Sequence, residues 1–328
     1  MKQTGLTIII PFLNEGAEIE NTIDSIRETA VTNPRIILIN DNSTDGFNYE
    51  GIARKYPEDI RYIIHKERKG VAASRDEGVE MSDTPYFLLL DGHMRFYEKG
   101  WDRRLLLLLE KHPRSILCSQ TRVLNKDENG KVTAKDYIAN YGAYLQLDNL
   151  KACWNKYDCS DTEAIEIPCI LGAAYACEKS YWQYLHGLKG LIHYGIDEQL
   201  ISAKIWMEGG KCLLIKDWVV GHIYRKKTPY GNPINDFTYN RLYFTQLLFP
   251  FPLKQKIFEK IRSESRERFE EAYAKLKENY RELKKEKDYL AGILQLPVEE
   301  FVKRNKEFAE KNKKNKVIKD NDIHIIMD

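Results

Sequence analysis

The chain has 328 residues, 43% of them hydrophobic and 30% charged, with a formal net charge of +2. That length suits one catalytic unit plus an appendage, and the apolar share can bury a sizeable core. The near-neutral balance supplies no bulk field for nucleic acid, which is excluded as an expected partner.

No stretch approaches the roughly 20 apolar residues a membrane helix needs. The leucine run at 105–109 is flanked by Arg103, Arg104, Glu110 and Lys111 and reads as part of a soluble helix. A secretory apolar core is also missing, because residues 4–12 run straight into the polar turn Leu13-Asn14-Glu15-Gly16. The six cysteines, Cys118, Cys153, Cys159, Cys169, Cys177 and Cys212, lack metal-type pairing. They read as reduced thiols of a cytoplasmic protein, with a Cys153–Cys159 disulfide as the lesser alternative.

In chain order, residues 6–10 form a β-branched run without polar alternation, which predicts a strand covered on both faces. Residues 15–30 carry Ile19, Ile23 and Ile26 at helical spacing. Further strands are expected at 36–39, 62–64 and 86–90, with helices at 49–56 and 71–81. Such repeated units imply a parallel sheet with right-handed crossovers, and ligands bind beyond the carboxyl ends of its strands. Those ends carry Pro11 to Glu15, Asn40 to Gly46, and Asp91-Gly92-His93. No dinucleotide-type G-x-G-x-x-G follows the first strand, and no Walker pattern occurs.

The middle third is less regular. It predicts a helix at 101–111, a strand at 116–123, a hairpin turn at Asn129-Gly130 and a helix at 195–208 ending at Gly209-Gly210. Beyond Leu253 basic residues crowd together, and Phe269, Tyr273, Leu276, Tyr280 and Leu283 repeat at 4-3-4-3 spacing. Gly292 and Pro297 interrupt this seam. A second charged helix is expected over 298–311, followed by a frayed Lys- and Asn-rich tail.

The pattern Asp91-Gly92-His93 is the strongest chemical signal. On an extended strand, residues i and i+2 face one side, so both side chains can reach one ion. A carboxylate with an imidazole suits Mn2+ or a similar divalent cation better than Mg2+. His222, in Val219-Val220-Gly221-His222, offers a third ligand. A Pro/Gly-rich loop at 228–233 follows it and reads as a lid.

At these residues the sequence resembles a family 2-type glycosyltransferase, and most of all the catalytic domain of the polypeptide N-acetylgalactosaminyltransferases. The likeness runs over residues 5–232. It is carried by Ile9 to Glu15, Asp41 to Asp45, Arg68 to Arg75, the Asp-x-His motif and Gly221 to Tyr230. The resemblance implies an α/β fold of GT-A type. A Rossmann-like nucleotide-sugar-binding half (1–95) would be fused to a mixed acceptor-binding half (96–250), with a charged helical extension at 251–328.

The same resemblance implies the site. Pro11, Glu15 and Asp41 would cradle the uridine of a UDP-sugar, with Gly70 and Arg75 near the ribose and diphosphate. Asp91, His93 and His222 would hold Mn2+, and Arg225 and Tyr230 would close over the diphosphate. Gly172 and Ala173 match a small-residue wall for the donor sugar. Asp197 and Glu198 fall where the family carries an acidic segment.

Alternatives stay open: Asp91 and His93 also read as a surface turn, His222 as a core histidine, and Gly172 and Ala173 as a packed strand. Arg75 also reads as a helix-surface charge, and Asp197 and Glu198 as first-turn acids stabilised by a helix dipole. Gly92, Tyr194, Ile196 and Thr228 depart from the family pattern. The family's membrane anchor and lectin domain are not expected, and the absence of a Gln-x-x-Arg-Trp motif argues against a processive synthase.

The expected reaction is transfer of a hexose or N-acetylhexosamine to a hydroxyl of a glycan, lipid-linked or peptide acceptor, with retention. One alternative is an inverting enzyme with Asp197 as base; another is a non-catalytic scaffold that binds a partner through its C-terminal helices. Those helices are expected to dock on the core, to form a homodimer, or to touch the inner face of a membrane.

Overall fold

The computed structural model describes residues 5–158, 160, 162–225 and 234–325. The expected lid, with Tyr230, and Cys159 lie outside the described residues.

The first unit runs β1 (Leu6–Phe12), α1 (Glu18–Thr29), β2 (Arg35–Asn40), α2 (Tyr49–Lys55), β3 (Ile60–Ile64), α3 (Val71–Met81) and β4 (Tyr86–Leu90). Its strands pair in parallel in the order β3-β2-β1-β4. Successive side chains of β1 enter different cores. Ile9 packs with Ala72 and Val79 of α3, whereas Ile8 and Ile10 pack with Ile19 and Ile23 of α1. A strand sandwiched this way needs apolar residues at every position, which is why the run lacks alternation.

The sheet then continues through the middle third as a mixed sheet. That segment comprises β5 (Met94–Arg95), α4 (Trp101–Lys111), β6 (Ser115–Lys126), β7 (Val132–Ile138), β8 (Ala143–Leu145), β9 (Ala152–Trp154), β10 (Ala164–Glu166), β11 (Ala174–Glu178), α5 (Lys179–Tyr184), α6 (Asp197–Glu208) and β12 (Lys211–Ile223). Strand β11 pairs antiparallel with β4 and with β6, and β12 runs parallel to β6. Strands β8 and β9 form a separate ribbon. The Asn129-Gly130 turn joins β6 to β7, with Gly130 at φ +83°.

The remaining helices are α7 (Ile234–Leu248), α8 (Leu253–Glu264), α9 (Arg266–Glu278), α10 (Tyr280–Ile293) and α11 (Val298–Ile325). Helices α8, α9 and α10 pack on α7, and α11 packs on α6 and β8, so the extension docks back on the preceding elements. The apolar seam is not one continuous coil. It breaks at Asn279, and although Phe269, Leu276 and Leu283 are buried, Tyr280 is exposed. Helix α11 runs on past the expected boundary at residue 311, since neither Gly nor Pro interrupts 298–325. No helix among the described residues is long and apolar enough to cross a membrane. Among the described residues no disulfide joins Cys118, Cys153, Cys169, Cys177 and Cys212, and the Cys153–Cys159 pairing falls outside them.

Candidate active site

A cleft of about 740 Å³ opens at the carboxyl ends of β1, β2 and β4. Every expected site residue lines it except Gly70, which sits behind it, and Tyr230, which is outside the described residues.

Asp91 and His93 do not lie on an extended strand. Strand β4 stops at Leu90, and the two residues occupy the turn leading to β5. Pairing of β12 with β5 then sets His222 opposite Met94, next to His93. His93 Nε2 and His222 Nε2 are 3.1 Å apart, and His222 Nε2 is 3.5 Å from Asp91 Oδ2. One ligand atom from each of the three lies within 4.8 Å of the others. Ligands about 2.1 Å from one ion, at tetrahedral or octahedral angles, stand roughly 3.0–3.4 Å apart, so the trio fits a divalent cation. At 3.1 Å the two nitrogens either share a proton as N–H···N or, with both lone pairs facing inward, share a cation.

Burial holds both imidazoles below their usual pKa, in the neutral form that ligates metals. Burial pushes the Asp91 carboxyl up, but His222, His93 and Arg75 outweigh it and hold the group below its ordinary value. The main-chain N–H of Asp91 donates to the Ala173 carbonyl at 3.0 Å, which ties the Asp91-Gly92-His93 turn to the start of β11.

Glu15 has a contact the sequence did not reveal. Its Oε2 lies 3.2 Å from His93 Nδ1 and also pairs with Arg225. Arg225 Nη2 lies 3.1 Å from the same Nδ1; with the Nδ1 proton given to Glu15, Nε2 carries the lone pair that faces His222. Gly92 makes this approach feasible, because a Cβ there would come within 2.7 Å of Ile19 and 3.2 Å of Glu15.

Asp41 is buried at the base of the cleft. It accepts from the main-chain N–H groups of Lys69 and Gly70, each at 2.8 Å, and faces His65 Nδ1 at 2.7 Å. His65 Nε2 in turn lies 3.0 Å from Glu77. Arg68, which also lines the cleft, brings its Nε to 4.0 Å from Asp41 Oδ2. Gly70 contributes through packing: its φ is +91°, and a Cβ would lie 2.0 Å from His193 Cα.

Arg75 is no surface charge. Buried, it reaches Asp197 at 3.2 Å, Glu198 at 3.3 Å, Asp91 at 3.5 Å and the Gly172 carbonyl at 3.4 Å. Asp197, at the start of α6, is 1% exposed, and its Oδ1 has no partner among the described residues. Burial raises its pKa against the opposing pull of Arg75. Glu198 is the more open of the two acids and presses against Gly172, where a Cβ would meet its Oε1 at 2.3 Å. Ile196 precedes them at φ +72°, a strained conformation for a β-branched residue at the mouth of the site.

The matches with known proteins agree with this geometry. Residues 7–166 match the family described as "Glycosyl transferase family 2". Polypeptide N-acetylgalactosaminyltransferase 11 of Xenopus tropicalis is 26% identical over 243 residues, covering 69% of this chain and 39% of that protein. Polypeptide N-acetylgalactosaminyltransferase 10 of Homo sapiens is 28% identical over 238 residues, with coverages of 69% and 39%. The chain therefore spans 39% of the length of each of these two relatives.

Among solved structures, GalNAc-T7 with UDP, GalNAc and Mn2+ has a TM-score of 0.65 at 20% identity, over 76% of this chain and 49% of that one. S. aureus TarS 1-349 in complex with UDP-GlcNAc has a TM-score of 0.50 at 12% identity, over 79% and 71%. The fold is thus GT-A, with a helical C-terminal region. Within that class the chain resembles family 2 glycosyltransferases over residues 7–166 and, more particularly, the catalytic domain of the polypeptide N-acetylgalactosaminyltransferases.

Proposed function

We propose that the chain is a metal-dependent glycosyltransferase that moves a hexose or N-acetylhexosamine from a UDP-sugar to a hydroxyl acceptor, with retention of configuration. The observation that carries this reading is the convergence of Asp91, His93 and His222 beside Arg75 and Arg225 in one cleft. The cleft volume is in the range of small-molecule sites. GalNAc-T7, solved with UDP, GalNAc and Mn2+, and TarS, solved with UDP-GlcNAc, support the donor class.

The residues divide the work by chemistry. Pro11 and Asp41 face the nucleobase. Bound at Asp91, His93 and His222, a cation such as Mn2+ supplies Lewis-acid neutralisation of the leaving diphosphate. Arg75 and Arg225 add fixed positive charge on that side, without proton transfer. Gly172 and Ala173 let the sugar lie against backbone, and Glu198 borders it. The mostly buried cysteines support a cytoplasmic setting.

A second reading is inversion with Asp197 as general base, favoured by the burial that raises its pKa towards the range a base needs. Proton NMR of the product's anomeric centre separates the two.

The test is UDP release from a panel of UDP-sugars with and without Mn2+. Asp91→Ala and His93→Ala each lower release by about 100-fold or more, with the thermal melt preserved. Release that persists after chelation, or in both variants, sinks the proposal.

A further inference from the structure

The helical extension grips one small element of the catalytic half, and it does so twice. Asn305 on α11, 1% exposed, accepts the Leu145 N–H at 2.7 Å and donates to the Leu145 carbonyl at 2.8 Å. One side-chain amide thus takes the place of a neighbouring strand along β8. At the ribbon's turn, Glu264 of α8 accepts from Asn149 Nδ2 at 3.3 Å and pairs with Lys151 at 3.2 Å. Arg241 of α7 bonds Glu264 at 2.9 Å and the Asn149 carbonyl at 3.4 Å. The ribbon stands apart from the main sheet, tied to the rest of the catalytic half by the Ala143–Cys169 bridge. Its position is therefore set largely by helices that lie beyond the residues matched by the family.

The second strand of that ribbon brings Trp154 into the wall of the cleft. Trp154 is 54% exposed, whereas Trp101, Trp182, Trp206 and Trp218 are buried. An indole left half bare in a cleft wall is a contact surface rather than a core residue. Thr121 and Asn140, which line the same cleft, are neutral hydrogen-bonding groups. A pyranose matches this pairing, because its flat C–H face suits an aromatic ring and its rim of hydroxyls suits amide and hydroxyl side chains. Strand addition by a peptide is blocked on the β8 edge, which Asn305 and the Ala143–Cys169 bridge already occupy.

We infer that the β8–β9 ribbon is the acceptor wall of the cleft, that Trp154 stacks on the ring of an acceptor sugar, and that Asn305 and Glu264 are positioning residues that aim it. The inference rests on the transferase reading above and deepens it. It also assigns the extension a task in acceptor selection.

The experiment uses the full chain with Mn2+ and UDP. Methyl glycopyranosides of glucose, galactose, N-acetylglucosamine and N-acetylgalactosamine are titrated while acrylamide quenching of tryptophan fluorescence is read. Trp154 dominates the quenchable signal because the other four indoles are buried. At least one glycoside should lower the quenching constant about twofold, and Trp154→Leu should abolish the effect. Asn305→Ala should weaken that glycoside about tenfold, with UDP affinity unchanged. Glu264→Gln, at the partly exposed end of the ribbon, should weaken it in the same direction, and it carries the test if Asn305→Ala fails to fold. Normal UDP binding with no protection of Trp154 by any glycoside overturns the inference, as does unchanged glycoside affinity in the folded variants. Loss of UDP binding in the wild-type chain is a different result: it removes the transferase reading, and this inference with it.

Discussion

Glu15 faces His93 across 3.2 Å, a carboxylate oxygen against imidazole Nδ1. Arg225 lies 3.1 Å from the same nitrogen and pairs with Glu15, so the carboxylate and the guanidinium together hold that edge of the ring. A neutral amide at the same place would orient the ring less firmly and lower its basicity. Glu15→Gln is expected to weaken Mn2+ binding about 10- to 100-fold with the fold intact. Calorimetric titration of Mn2+ in the presence of UDP reads this directly, and affinity within twofold of wild type would show the contact to be incidental.

Glu198 and Gly172 form a second coupled pair. A methyl group on residue 172 would overlap Glu198 Oε1 at 2.3 Å, so the acid must swing away from Arg75. Gly172→Ala should cut sugar transfer by roughly 100-fold while leaving UDP affinity near wild type. A parallel loss of UDP binding would instead mean that the nucleotide side had collapsed.

Gly70 is held at φ +91° with its α-carbon against the His193 backbone. A Cβ there adds left-handed strain of about 1–2 kcal/mol to a clash that rigid main chain cannot relieve. Gly70→Ala is expected to lower the unfolding free energy by about 3 kcal/mol or more, measured by denaturant titration. It should also loosen the N–H groups that Asp41 gathers.

Asp76 supplies a pH test away from the cleft. Its carboxylate accepts from Trp182 Nε1 at 2.8 Å and from the Leu188 N–H at 3.0 Å, and burial pushes its pKa up to about 6, above the usual carboxylate range. A raised acid binds its proton more tightly in the folded state. Its ionisation therefore costs stability as pH climbs from about 4 through 6, to at most about 3 kcal/mol. Asp76→Asn keeps an acceptor oxygen and lacks that titration. Wild-type stability minus that of the variant should fall across this window and stay flat above pH 7. A difference that does not change with pH would contradict the assignment.

The seam of the extension separates docking from free coiled-coil pairing. Phe269 is 7% exposed and Tyr280 is 51% exposed. Phe269→Ala should cost about 3–5 kcal/mol in a chemical melt, and Tyr280→Ala no more than about 0.5 kcal/mol. Equal costs would restore the picture of one continuous apolar stripe.

Much of the first unit, β1 to β4, was legible because its signals are local. Unbroken apolar runs such as Ile8-Ile9-Ile10 can be stable only between two layers. Strands separated by single helices can pair only in parallel, and the polar residues closing those strands then meet at one edge. Asp91 and His93 were legible as a pair for the same reason, although a turn rather than a pleat brings them together. The seam misled at Tyr280, because spacing cannot tell one helix from two separated by Asn279.

The amino-acid sequence by itself determined the α/β layering, the parallel strands and the kinds of side chain available for holding a cation. Tertiary structure alone decided that Glu15 backs His93, that Arg75 is buried among three carboxylates, and that Asn305 replaces a strand beside Leu145. The physical reason is range: secondary structure and burial follow from neighbours a few residues apart. These contacts join residues 78, 122 and 160 positions apart in the chain, and only the packed layers bring them within a hydrogen bond of each other.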